Sequence, residues 1–116
     1  MASQRHRKAD LNGLEVWMLI SFSGGTPSLT RASGDTFQDA DITLTDTGTG
    51  DIIVTINPFK GPKGEVYGVA TTQTISTFAN ITALTYTGNS LAVTVKIEDD
   101  ASTATDANVF LHLYAE

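Results

Sequence analysis

The sequence predicts an all-β protein, a compact antiparallel β-sandwich or partly closed barrel with an extended N-terminal arm, and three observations lead there. Apolar and polar residues alternate from Leu14 to the end of the chain, the period of a strand with one buried face. Threonine occurs eighteen times, while charged residues make up only 17%. Its β-branched side chain is stiff at χ1 and suits a pleated, half-exposed surface better than a helix. Finally, no stretch of ten or more residues carries a 3.6-residue apolar period. A chain of 116 residues is long enough to bury one core. We divide it into a basic arm, residues 1–13, and a single β domain, residues 14–116.

The elements follow in order. Leu14 to Phe22 reads as a first strand and Leu29 to Ser33 as a weaker second one. Ile42 and Leu44 alternate with Thr43 and Thr45; a turn, Asp46-Thr47-Gly48-Thr49-Gly50-Asp51, follows, and Ile52, Val54 and Ile56 resume the pattern. That is a hairpin. Val66 to Thr72 is another weak strand, and Thr74 to Asn80 has room for one helical turn at most. A second hairpin runs from Thr82 to Thr87, turns at Gly88-Asn89, and returns with Leu91, Val93, Val95 and Ile97 inward. Gly-Asn suits a two-residue turn because both residues tolerate positive φ. Glu98 to Asn108 is a polar connection into a last strand, Val109 to Tyr114.

The first and last strands differ from the middle ones. Val16, Met18, Ile20 and Phe22 form one face of the first, but Trp17 and Leu19 make the other face apolar too. In the last, Val109, Leu111 and Leu113 are backed by Phe110, His112 and Tyr114. A strand apolar on both faces needs a second cover. Trp17, Leu19, Phe110, His112 and Tyr114 are therefore the expected contacts with another subunit, with cover by the same chain as the alternative.

Charge and composition exclude several classes. Arg5, Arg7 and Lys8 stand in the first eight residues, whereas from Ala9 onward four basic residues face thirteen acidic ones. A net charge of −6 argues against nucleic acid as the main partner, because phosphate binding needs a basic field over the folded surface. Without cysteine there is neither a disulfide framework nor a thiolate zinc site. The basic start runs into Ala9-Asp10-Leu11-Asn12-Gly13 where a signal peptide needs an apolar stretch, and the longest apolar run, Val16 to Ile20, is five residues. No signal peptide and no membrane span is expected.

Catalytic chemistry finds little support. A nucleophilic triad needs a histidine held by an acid beside a nucleophile; His6 lies in the arm and His112 sits mid-strand between leucines, as a packed or interface side chain. The acids Asp39, Asp41, Asp46, Asp51, Glu98, Asp99, Asp100 and Asp106 are oxygen ligands of the kind calcium uses, but none follows the calcium-loop spacing. Aspartate is in any case favoured in turns. We expect no enzyme, no cofactor and no metal. The Asn57-Pro58-Phe59-Lys60-Gly61-Pro62-Lys63-Gly64 loop, with Phe59, Lys60 and Lys63, is a modest contact candidate.

Three stretches carry a resemblance: Phe22-Ser23-Gly24-Gly25-Thr26-Pro27-Ser28-Leu29-Thr30-Arg31, the hairpin ITLTDTGTGDIIVTI (42–56), and the closing ALTYTGNSLAVTVKIEDDASTATDANVFLHLYAE (83–116). From about Trp17 to Glu116 the chain resembles small tailed-phage virion proteins of the head decoration, or capsid cement, type. The PFKGPK loop and the longer basic leader depart from that pattern. The resemblance implies a non-enzymatic structural protein made in the bacterial host cytoplasm and carried on the outer capsid surface. Its partners would be the major capsid protein and itself, as a homotrimer or alternatively a dimer. The capsid contacts expected on that reading are Arg5, Arg7, Lys8, Phe59, Lys60 and Lys63. The alternatives are a tail, neck or head-fibre accessory protein, or a host-surface or carbohydrate-binding module.

Overall fold

The structure, a computed structural model, describes residues 14–34, 41–59 and 66–115. Eight strands follow one another: β1 (Leu14–Ser23), β2 (Thr26–Gly34), β3 (Ile42–Gly48), β4 (Asp51–Ile56), β5 (Val66–Thr72), β6 (Thr77–Thr87), β7 (Ser90–Asp99) and β8 (Val109–Ala115). They form two four-stranded sheets, ordered β2-β1-β8-β5 and β3-β4-β7-β6, and every pairing is antiparallel. The two sheets pack face to face without closing into a barrel. Arg5, Arg7, Lys8, Lys60 and Lys63 lie outside the described residues, as does the arm.

The core follows directly from the alternation. Val16, Met18 and Ile20 of β1 and Val109, Leu111 and Leu113 of β8 face Ile52, Val54 and Ile56 of β4 and Leu91, Val93, Val95 and Ile97 of β7. All are buried, and each such side chain contributes about 1.5–3 kcal/mol by leaving water. Among the described residues no polar or charged side chain is buried. The core is purely apolar.

Besides a register shift at the β3–β4 turn, two bulges within strands keep the period in phase. Between Ile81 and Ala83 the register of β6 on β7 slips by one residue, so Ala79 and Ile81 point inward before it and Leu84 and Tyr86 after it. A second slip, opposite Leu19 and Ile20, leaves Thr30 as the extra residue of β2. A bulge adds one residue without turning the rest of the strand inside out.

Where one helical turn at most was expected, the chain instead makes a tight arch from β5 into β6. Ser76 adopts φ 63, the Thr77 hydroxyl donates to Thr72 Oγ1 at 2.7 Å, and Thr72 Oγ1 donates to the Thr77 carbonyl at 2.8 Å. Strand β6 therefore begins at Thr77, within the segment first given to a turn. The arch carries the chain from one sheet to the other, and at this side the sheets approach closely. A methyl group on Gly68 of β5 would sit 2.5 Å from Ile81 Cδ1 and 2.9 Å from Leu113 Cδ2.

Candidate functional site

The outward side chains of β1, β8 and β5 form a three-by-three array fixed by the strand register. Glu15, Tyr114 and Tyr67 make one row, Trp17, His112 and Val69 the next, and Leu19, Phe110 and Thr71 the third. Backbone pairing sets the spacing, since side chains opposite one another across antiparallel strands lie about 5 Å apart. The rings accordingly touch. Trp17 stacks on His112 with centroids 3.6 Å apart and planes 4° from parallel, and Phe110 leans on Trp17 at 5.3 Å. The chain of contacts continues from His112 to Tyr114 at 5.1 Å and from Tyr114 to Tyr67 at 5.8 Å.

His112 is held from two sides. Trp17 covers one face of its ring, and its Nε2 lies 3.1 Å from Glu15 Oε2. Glu15 neighbours that row on β1 because the period of two sets Glu15 and Trp17 on the same face. Glu15 thus meets a ring nitrogen within this otherwise apolar array. The side chains are partly exposed, 21% for His112 and 42% for Glu15, so the pair is worth no more than about 1 kcal/mol. Its effect is orientation: the imidazole plane is fixed parallel to the indole.

All five residues expected at a subunit contact, Trp17, Leu19, Phe110, His112 and Tyr114, stand on this array. The three members on β5, Tyr67, Val69 and Thr71, escaped the sequence. Tyr67 and Val69 are 57% and 49% exposed and extend the array onto β5. Their alternation within Val66 to Thr72 was visible, but not that β5 pairs with β8.

Phe59 requires a correction. As a residue of a proline- and glycine-rich loop it was expected to be exposed and to contact a partner, yet it is only 6% exposed. The chain turns at the cis Asn57–Pro58 peptide, the Phe59 amide donates to the Asn89 carbonyl at 2.6 Å, and its ring packs 5.9 Å from that of Tyr86. It plugs the end of the core between β4 and the β6–β7 turn.

The acidic connection between β7 and β8 uses its carboxylates on its own backbone. Asp99 Oδ1 accepts from the amides of Ala101 and Thr103, both at 2.9 Å. Asp106 Oδ1 accepts from the Gly50 amide at 2.8 Å. Gly50 has φ +74, and a methyl group there would lie 2.5 Å from the Ile97 carbonyl oxygen, so only glycine fits beneath this connection. Asn108 Oδ1 accepts from the Phe22 amide at 2.9 Å. Among the described residues no three acidic or imidazole side chains converge as a metal site would need.

An open groove between β5 and β6, lined by Ala70, Thr71, Thr72, Thr77, Phe78, Ala79 and Asn80, holds no titratable group. Beside it Ile75, at the tip of the arch, is 89% exposed. Comparison of the chain with protein-family models, with curated proteins and with solved structures finds no match in any of the three.

Proposed function

We propose that this protein is a non-enzymatic virion component, a capsid decoration protein that binds the outside of an assembled phage head and strengthens contacts between major capsid protein subunits. The observation that carries the reading is the aromatic array on one outer face of a sandwich whose other face is built largely of threonine. Exposed aromatic residues grouped on a monomer mark a surface made for contact. The loop acids Asp99 and Asp106 are engaged in holding turns. The resemblance of residues 17–116 to tailed-phage decoration proteins supplies the partner.

Physically, such a protein needs no more than a rigid domain and modest adhesion. A ligand that binds only the assembled shell stabilises it by mass action, and many weak contacts on one lattice reinforce each other through effective concentration. The basic residues Arg5, Arg7 and Lys8 would add attraction to an acidic shell, an effect that falls with salt. The test is co-sedimentation with empty expanded capsids. Saturation at one or a few copies per capsid subunit is the expected result, and deletion of residues 1–10 should weaken binding while circular dichroism stays unchanged. A folded protein that never pellets with capsids removes the reading.

One feature favours a second reading. Exposed Trp17 and Tyr67 are ring types on which sugars stack, so a host-surface carbohydrate module is the rival. Against it, one face of the Trp17 ring is already occupied by His112. A change in Trp17 emission on adding glycans, in a protein that ignores capsids, would favour the rival.

A further inference from the structure

We infer that the aromatic array is a weak, two-fold self-association surface: β1, β8 and β5 of one copy pack face to face against the same strands of a second copy. The inference goes beyond the capsid reading and does not depend on it.

Charge distribution selects the occupant. The chain carries a net −6, so two copies repel over most of their surfaces. Among the described acids, Asp41 immediately precedes β3, Asp46 and Asp51 lie at the β3–β4 turn, and Glu98, Asp99, Asp100 and Asp106 lie at or beyond the end of β7. Only Glu15 belongs to the array, and the His112 ring nitrogen meets it. Between two such arrays like-charge repulsion is small, because each brings one carboxylate and that carboxylate already meets a ring nitrogen. Its own content is apolar and aromatic, matched to a surface of the same kind.

Shape points to a two-fold arrangement. An axis parallel to β8 lays β8 over its own copy and β1 over β5 of the partner. The bulky column of Trp17 and Leu19 then faces the smaller column of Val69 and Thr71. Glu15 faces a tyrosine hydroxyl, that of Tyr67, and not another carboxylate. Isologous contacts require this self-complementarity.

Area sets the strength. Three alternate positions on three neighbouring strands cover roughly 300 Å² once side chains are included. A standard interface buries about 800 Å² per partner. The contact is therefore weak and transient. It forms in quantity only where copies are held close together.

The experiment is sedimentation equilibrium of the full chain across concentration and salt, with emission of Trp17, the one tryptophan, followed in parallel. The expected result is a monomer that approaches twice its mass as concentration rises, with Trp17 emission shifting blue in step. Added salt should tighten the association, because the Debye length falls from about 30 Å at 0.01 M to 3 Å at 1 M and screens the net repulsion. Val69→Lys, which sets an unpaired charge against Trp17 of the second copy, and Tyr67→Glu as a second variant, which sets a carboxylate against Glu15, should each weaken it at least about tenfold. A protein that stays monomeric throughout overturns the inference. So does an oligomer that both variants leave intact, or a monomer whose Trp17 is already shielded from quenchers. Salt that loosens the association also overturns it, because that points to basic residues and not to this array. No capsid enters the measurement, so a monomer that still pellets with capsids sinks the inference and leaves the capsid reading standing.

Discussion

The two outer faces of the sandwich are made by the same rule and filled with opposite materials. On β1, β8 and β5 the outward positions hold Trp17, Leu19, Phe110, Tyr114, Tyr67 and Val69 beside the polar Glu15, His112 and Thr71. On β3, β4, β7 and β6 they hold Thr43, Thr45, Thr55, Thr94, Thr85 and Lys96, with Ile53, Phe78, Ala83 and Ala92 as apolar exceptions. Behind both lie the same aliphatics, valine, isoleucine and leucine, almost wholly removed from water. Folding is driven by the inner positions, where alternation and burial leave little choice. The outer positions are free of that demand. Threonine meets the strand preference alone and keeps the surface wet. Large rings meet it too, but leave apolar area in water that a contact elsewhere must use.

The largest expected effect tests whether the array lies outside the core. Leu111 and Phe110 are neighbours on β8, one fully buried and the other 38% exposed. Leu111→Ala should cost about 2–5 kcal/mol of unfolding free energy, since it removes three heavy atoms' worth of contacts and leaves a cavity. Phe110→Ala should cost about 1 kcal/mol or less and should weaken self-association instead. Urea titration of both variants measures this. Equal destabilisation would mean that Phe110 belongs to the core and that the two sheets do not differ as described.

An intermediate effect concerns the end of the sandwich where the sheets are tied together. Asp106 accepts the Gly50 amide from the β3–β4 turn, and its other oxygen lies 3.6 Å from where a methyl group on Gly25, in the β1–β2 turn, would sit. One carboxylate therefore holds the turn of one sheet and lies against the turn of the other. Asp106→Ala leaves the part-buried Gly50 amide without its acceptor and should cost about 1–2 kcal/mol. Asp106→Asn, which keeps an acceptor oxygen, should cost less. Thermal unfolding measures the order of the two. Because the tie lies away from both outer faces, neither variant should alter the mass at high concentration.

Much of this architecture was legible. The hairpins of residues 42–56 and 82–97 follow from local alternation and turn residues, and the two-sided character of Leu14–Phe22 and Val109–Tyr114 came from parity alone. What failed to show depended on distant neighbours. Tyr67 and Val69 join the array only because β5 pairs with β8, more than forty residues later in the chain, and alternation does not encode a partner strand. The start of β6 was obscured because the bulge after Ile81 shifts the apolar phase by one. Phe59 sits among residues that spell an exposed loop, and a bond to the distant Asn89 carbonyl helps hold it inside. Glu15 was readable as polar but not as the partner of His112, ninety-seven residues away.

The smallest expected effect is the sharpest control on the contrast between the faces. Thr85 and Val69 are both exposed residues on edge strands, β6 and β5, at opposite faces of the molecule. Lysine at either position is solvated, and lysine is a residue natural sheets place on exposed edges. Thr85→Lys and Val69→Lys should therefore each change stability by no more than about 0.5 kcal/mol. Both remove the same unit of negative net charge, so any general electrostatic influence on association is common to the two. Only the position differs. Association lost in Val69→Lys and kept, or slightly tightened by the reduced net charge, in Thr85→Lys would assign the contact to the aromatic face. If the two variants weaken it equally, the threonine face takes part as well, and the composition of the outer positions does not mark where this protein makes its contacts.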